Sequence, residues 1–191
     1  GSKVTVEAGF KQIVAESEVP AFADVPADAY YADAVAWAVK EGITTGTGTN
    51  TFSPDLSCTR AQMVTFLWRA NGSPVVNYAM SFPDVPADAY YAEAIRWAVS
   101  EGITTGTTAT TFSPNAMLTR GQTVTFLWRA NGSPAVSGSN FGDVASDVYY
   151  ANAVAWAVSE DITSGTGGNN FSPAAPCTRS QIVTFMYRDA K

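Results

Sequence analysis

One unit is written three times along this chain. Phe22, Phe82 and Phe141 open matching stretches, so the pattern recurs after 60 and then 59 residues. Its first copy reads FADVPADAYYADAVAWAVKEGITTGTGTNTFSPDLSCTRAQMVTFLWRANGSP. Asp24, Asp84 and Asp143 fall in register, as do Tyr30, Tyr90 and Tyr149, and Phe52, Phe112 and Phe171 occupy identical Phe-Ser-Pro triplets. Repetition at this period constrains the fold more than any other feature. Each unit is one supersecondary element that cannot bury its apolar face alone, so neighbours must complete the core. The units are 22–74, 82–134 and 141–191, forming one compact domain.

Each unit reads as helix, glycine-rich connection, helix. Asp28 is a suitable N-cap for a first helix running to Glu41, with Gly42 able to take the left-handed residue past its end. Asp88 and Gly102 repeat these signals. The third copy has Asp147, but Asp161 replaces the glycine, and a different helix end is expected there. Tyr31, Ala34, Val35, Ala38 and Val39 recur at helical spacing and mark a core face. The connection ITTGTGTNTFSP is rich in turn formers and suits an ordered loop. In the second helix the run MVTFLWRA is apolar nearly all round, which predicts burial on several sides and inner helices packed near a centre. Periodicity alone leaves open whether the units stack as a solenoid or close as a ring. Residues 1–21 stand apart: Gly1-Ser2 reads as a tag remnant, and in the N-terminal extension KVTV suits a strand and FKQIVAES a short helix.

Composition removes several function classes. With 46% apolar and 15% charged residues the chain is built for a packed core. A net charge of −6 argues against a nucleic-acid partner, which requires a basic face. No apolar run approaches the roughly 18–20 residues of a membrane helix, so no membrane insertion is expected. There is no histidine, hence no general base of the usual kind and no imidazole metal ligand. Cys58 and Cys177 are the two cysteines, too few for a thiolate zinc site or a disulfide framework. They could bridge if both face a central axis, but Leu118 at the equivalent place in the second unit favours separate buried thiols. Asp24, Asp28 and Asp33 suit turns and caps better than calcium, so no metal and no cofactor is expected. Near-identical copies also lack the single differentiated carboxylate pair of a hydrolase, and the chain reads as no enzyme.

The second helix of each unit opens on a cassette: CTRAQ at 58–62, LTRGQ at 118–122 and CTRSQ at 177–181. Thr59 with Gln62, Thr119 with Gln122 and Thr178 with Gln181 fit capping boxes. A cap does not explain the arginine. A helix N-terminus carries about half a positive charge, so a cation there costs on the order of 0.3–1 kcal/mol. Six of the seven arginines nevertheless fill two repeated positions, Arg60, Arg120 and Arg179 at helix starts and Arg69, Arg129 and Arg188 at helix ends. The dipole accounts for the second set. The first set calls either for an anionic ligand, held by the guanidinium with free helix amides, or for an internal salt bridge to Asp24 and its equivalents.

Phe-x-Asp-Val, an aromatic helix closing on Gly-Ile, the glycine loop to Phe-Ser-Pro and Thr-Arg-Ala-Gln together resemble the S-layer homology domain, over residues 22–188 and in three copies. The resemblance implies a mainly α fold, with three helix-loop-helix repeats closed into a pseudo-threefold, three-pronged helical bundle. It implies a secreted protein at a Gram-positive bacterial cell wall or S-layer. Its function would be noncovalent anchoring of a surface protein to a secondary cell-wall polysaccharide, an anionic glycan often ending in a pyruvylated sugar. Ligand would sit in grooves between repeats, with Arg60, Arg120 and Arg179 meeting the carboxylate. Gly46, Gly106 and Gly165 would let backbone approach the sugar. Gln62, Gln122 and Gln181 stand where the family often has Glu, which keeps the cap and leaves the arginine freer to bind an anion. Trp37, Trp97 and Trp156 offer faces for sugar rings. Asp24, Asp84 and Asp143 complete the candidate ligand-binding set, while Trp68, Trp128 and Tyr187 read as core. On this view, changing the three cassette arginines to alanine abolishes wall binding and barely moves the thermal midpoint. The alternative is a protein-interaction or self-assembly scaffold of the cell surface.

Overall fold

The computed structural model describes residues 22–138 and 141–191; the strand and helix expected within 3–19 lie outside them. Among the described residues there are six helices: α1 (Ala32–Lys40), α2 (Arg60–Ala70), α3 (Ala92–Ser100), α4 (Arg120–Ala130), α5 (Ala151–Ser159) and α6 (Arg179–Asp189). Each unit contributes two, and the fold is mainly α.

The outer helices begin later than Asp28 suggests. Residues 26–32 form two successive turns, Ala29 N–H donating to Pro26 O (3.0 Å) and Ala32 N–H to Ala29 O (2.9 Å). Tyr31, Tyr91 and Tyr150 therefore stand at the N-caps and make no side-chain cap. The helix ends match the glycine signal, with Gly42 and Gly102 at φ +69° and +71°. Asp161 takes the same left-handed place at φ +55°, and Ile162 N–H still reaches back to Ala157 O at 2.8 Å. The expected difference at the third helix end is thus absent: two closing hydrogen bonds outweigh the steric cost of a Cβ there.

Capping boxes open α2, α4 and α6 as their sequences require. Their next amides are also taken. Arg60 N–H donates to Ala116 O and Ala61 N–H to Pro114 O, both in the Phe-Ser-Pro loop of the following unit. Arg120 and Gly121 bond Ala175 O and Pro173 O, and Arg179 and Ser180 return to Leu56 O and Pro54 O. The residues before the caps complete the exchange: Leu118 N–H donates to Cys58 O, Cys177 N–H to Leu118 O, and Cys58 N–H to Cys177 O, at 2.9–3.0 Å.

Packing follows the same handover. The closest helix pairs are α2 with α3, α4 with α5, and α6 with α1, so each inner helix rests chiefly on the outer helix of another unit. The inner helices also meet, α4 touching both α2 and α6, but these contacts are weaker than those with the outer helices. Phe52, Phe112 and Phe171 are fully buried where the loops meet these interfaces.

Cys58 and Cys177 are free thiols without solvent contact. Burial in apolar surroundings pushes Cys58 up to about 12 and Cys177 to about 11. Thiolate is the reactive form, so neither should react with iodoacetamide at pH 8 in the folded protein. Both should be alkylated within minutes in denaturant, as intact mass will show.

Candidate functional site

The cassette arginines point into the protein. Arg60, Arg120 and Arg179 retain only 4%, 4% and 3% exposure. Each Nε donates to a phenylalanine carbonyl of another unit: Arg60 to Phe112 O (2.9 Å), Arg120 to Phe171 O (2.9 Å) and Arg179 to Phe52 O (2.8 Å). Each guanidinium also lies over two rings, with Arg120 4.8 Å from the Phe171 centroid and 5.4 Å from that of Phe185. Cation–π contact and one carbonyl offset part of the cost of burying the charge. Burial pushes all three pKa values down, yet a guanidinium remains protonated.

Among the described residues no carboxylate lies within ion-pair distance of these cations, and the ion pair is Arg96 with Glu93, on the face of α3. The internal salt bridge to Asp24 is therefore excluded. Asp24 accepts instead from Phe52 N (2.8 Å) and Ser53 N (2.7 Å), and Asp84 and Asp143 hold Phe112–Ser113 and Phe171–Ser172 in the same way. The aspartate thus fixes the peptide whose carbonyl receives the arginine of another unit. Burial pushes the Asp24 carboxyl up, but the Phe52 and Ser53 amides pull harder and leave it below the ordinary value. A lowered folded pKa gives stability that is full above the unfolded value, near 4, and lost as pH falls through the folded one. Replacing Asp24 by Ala should remove about 1.5–3 kcal/mol at pH 7. The deficit should shrink below pH 4 in paired urea melts.

The helix amides expected to help bind an anion are not free, since carbonyls of the next unit and the caps occupy them. What remains open is a groove. A cavity of about 340 Å³ is lined by Arg120 of unit 2, by Thr163 to Thr166, Gln181, Thr184, Phe185 and Arg188 of unit 3, and by Tyr30 of unit 1. Arg120 Nη2 is buried there without a hydrogen-bond partner among the described residues, whereas Arg60 Nη2 and Arg179 Nη2 reach Thr104 Oγ1 and Thr44 Oγ1 at 3.3 Å.

The other expected residues divide. Gln62, Gln122 and Gln181 spend their Oε1 atoms on the caps, and Gln181 also borders the cavity. Gly46, Gly106 and Gly165 are required by the fold itself. At φ +88° a Cβ on Gly46 would fall 2.5 Å from Thr51 O and 2.6 Å from the Phe22 ring, and the other two are as crowded. Gly165 borders the cavity as well. The tryptophans correct the aromatic expectation. Trp97 and Trp156 are buried in the helix interfaces, Trp37 packs on Tyr187 at 5.6 Å, and none lines the cavity of Arg120. Trp97 borders a separate cavity of about 310 Å³ with Glu101 and Arg129.

Tyr30, Tyr90 and Tyr149 are instead the most exposed aromatics among the described residues, at 65%, 62% and 60%. They precede the outer helices, in the turns that lead into them, one residue before the tyrosines at the N-caps. Tyr90 lies near Arg69 and Arg179, and Tyr149 near Arg129 and Arg60. Sequence reasoning missed both this position and the helix-end arginines. Their recurrence in all three units was the available signal.

The S-layer homology domain matches residues 21–64, 81–124 and 140–183. The chain belongs to this family. Among similar proteins are a cell surface protein of Thermoanaerobacter kivui, 38% identical over 58% of this chain and 15% of that protein. An S-layer protein of Bacillus thuringiensis subsp. finitimus is 29% identical over 60% of this chain and 14% of its own length. An endoglucanase of Bacillus sp. (strain KSM-635) is 37% identical over 48% of this chain and 10% of its own. This S-layer homology chain thus spans a small fraction of the relatives it matches. Family membership places it at the cell wall or surface, and no helix among the described residues is long and apolar enough to cross a membrane.

Proposed function

We propose that this triple S-layer homology domain anchors its parent protein noncovalently to the cell wall, by binding an anionic secondary cell-wall polysaccharide that ends in a pyruvylated sugar. Arg60, Arg120 and Arg179 meet the carboxylate, and Gln62, Gln122, Gln181 and the loops at Gly46, Gly106 and Gly165 bound the grooves. The handover of hydrogen bonds from unit to unit, and from the third to the first, supports a pseudo-threefold, three-pronged bundle with its grooves between repeats.

One observation carries the reading: a guanidinium with almost no solvent, and with no carboxylate partner among the described residues, stands at the wall of a polar cavity. A buried cation compensated only by one carbonyl and two rings is still costly, and an entering carboxylate offsets the remaining cost with bonds of about 1.5–3 kcal/mol where partly shielded. Affinity per groove is then modest and rises when several grooves engage one polymer array. The net charge of −6 is a lesser objection, because charges beyond about 8 Å are screened at physiological salt. Calorimetric titration with wall polymer, before and after hydrolysis of its pyruvate ketals, tests the proposal. Binding should be lost with the ketal. Unchanged binding would favour the scaffold reading instead.

A further inference from the structure

We propose that Arg69, Arg129 and Arg188 also contact the ligand, each closing with a cassette arginine into a two-guanidinium clamp around one carboxylate of an acidic sugar. The inference rests on the glycan reading above and adds a second cation to every groove. Helix-end arginines are ordinarily explained by the dipole. Their bonds here go elsewhere. Arg69 Nη1 donates to Ile43 O (3.0 Å), Arg129 to Ile103 O (3.1 Å) and Arg188 to Ile162 O (2.9 Å), carbonyls of the connecting loop and not of the helix that bears them.

The neighbouring residue in that loop belongs to the cassette arginine. Arg179 Nη2 bonds Thr44 Oγ1, next to Ile43, and Arg60 Nη2 bonds Thr104 Oγ1, next to Ile103. Two guanidiniums thus anchor on consecutive residues. In the third groove Arg120, Thr163 and Arg188 line one cavity, and Arg120 Nη2 is buried without a partner among the described residues. One Nη1 bond holds each helix-end arginine, and the rest of its fork makes no protein hydrogen bond among the described residues. Among the described residues neither cation of the pair meets a carboxylate. Paired like charges repel, and an anion between them removes that repulsion while adding charge-assisted bonds from both sides. The exposed tyrosine beside each pair gives the sugar ring a face to pack on.

Titration of a hexosamine methyl glycoside carrying a pyruvate ketal tests the clamp. It is added to the unmodified protein and to the triple variants R69Q/R129Q/R188Q and R69K/R129K/R188K, at several salt concentrations. The Gln variant should bind about tenfold more weakly, with a shallower salt dependence. The Lys variant should recover most of the salt dependence, because charge is retained. Equal affinity and equal salt slope in the Gln variant, with only the thermal midpoint lowered, would make these arginines tethers and overturn the clamp. If the unmodified protein does not distinguish the ketal sugar from the same sugar without it, the glycan reading itself falls, and the clamp with it.

Discussion

Arg120→Ala is expected both to unfold the protein more easily and to silence its groove. The guanidinium supplies the hydrogen bond to Phe171 O at 2.9 Å and rests on Phe171 and Phe185. Truncation leaves a buried carbonyl unmatched and a void between units 2 and 3. Those losses come to about 2–4 kcal/mol in urea melts. This corrects the view that the cassette arginines are dispensable for folding: the fold uses Nε, and the ligand is left the remaining face of the fork. Binding should therefore be compared well below each variant's midpoint. There Arg120→Lys, which keeps the charge without the planar fork, should retain part of the affinity that Ala loses.

Gly46→Ala should be nearly as severe, for a reason unrelated to ligand. The added Cβ would press within 2.5 Å of Thr51 O and 2.6 Å of Phe22, at a φ of +88° that side chains rarely adopt. Backbone strain and overpacking together cost about 2–5 kcal/mol. Gly42→Ala is the control. It too has positive φ, +69°, but nothing lies within 4 Å of its Cβ. The cost there is about 1–2 kcal/mol. A thermal midpoint equal for the two variants would mean that the close approach of Phe22 and Gly46 is not a constraint.

Local chemistry was legible in the letters and long-range chemistry was not. Thr59 and Gln62 announce a capping box because both partners lie within one helical turn, and the box forms as read. The acceptor for Arg60 is the main-chain carbonyl of Phe112, 52 residues away, and a carbonyl has no residue signature. For the same reason the amides at the start of α2 looked available for an anion, although Pro114 and Ala116 carbonyls take them. Asp24 suggested an ion pair because opposite charges invite pairing. In the fold, two backbone amides of the Phe-Ser-Pro loop compete for its carboxylate and win. Trp37 and Tyr30 share one aromatic stripe in sequence, but the turns before α1 place Tyr30 outside and leave the tryptophan packed. Triplication, helix content and family resemblance survived these errors because each rests on many residues at once.

The seven arginines make direct observation of the proposed contact practical. Side-chain Nε–Hε resonances of ¹⁵N-labelled protein can be followed as a pyruvate-ketal hexosamine is added. The signals of Arg60, Arg120 and Arg179 should shift in a saturable way, while the same sugar without its ketal leaves them in place. Binding that moves other residues and leaves those three signals untouched would contradict recognition of the anion by the cassette arginines.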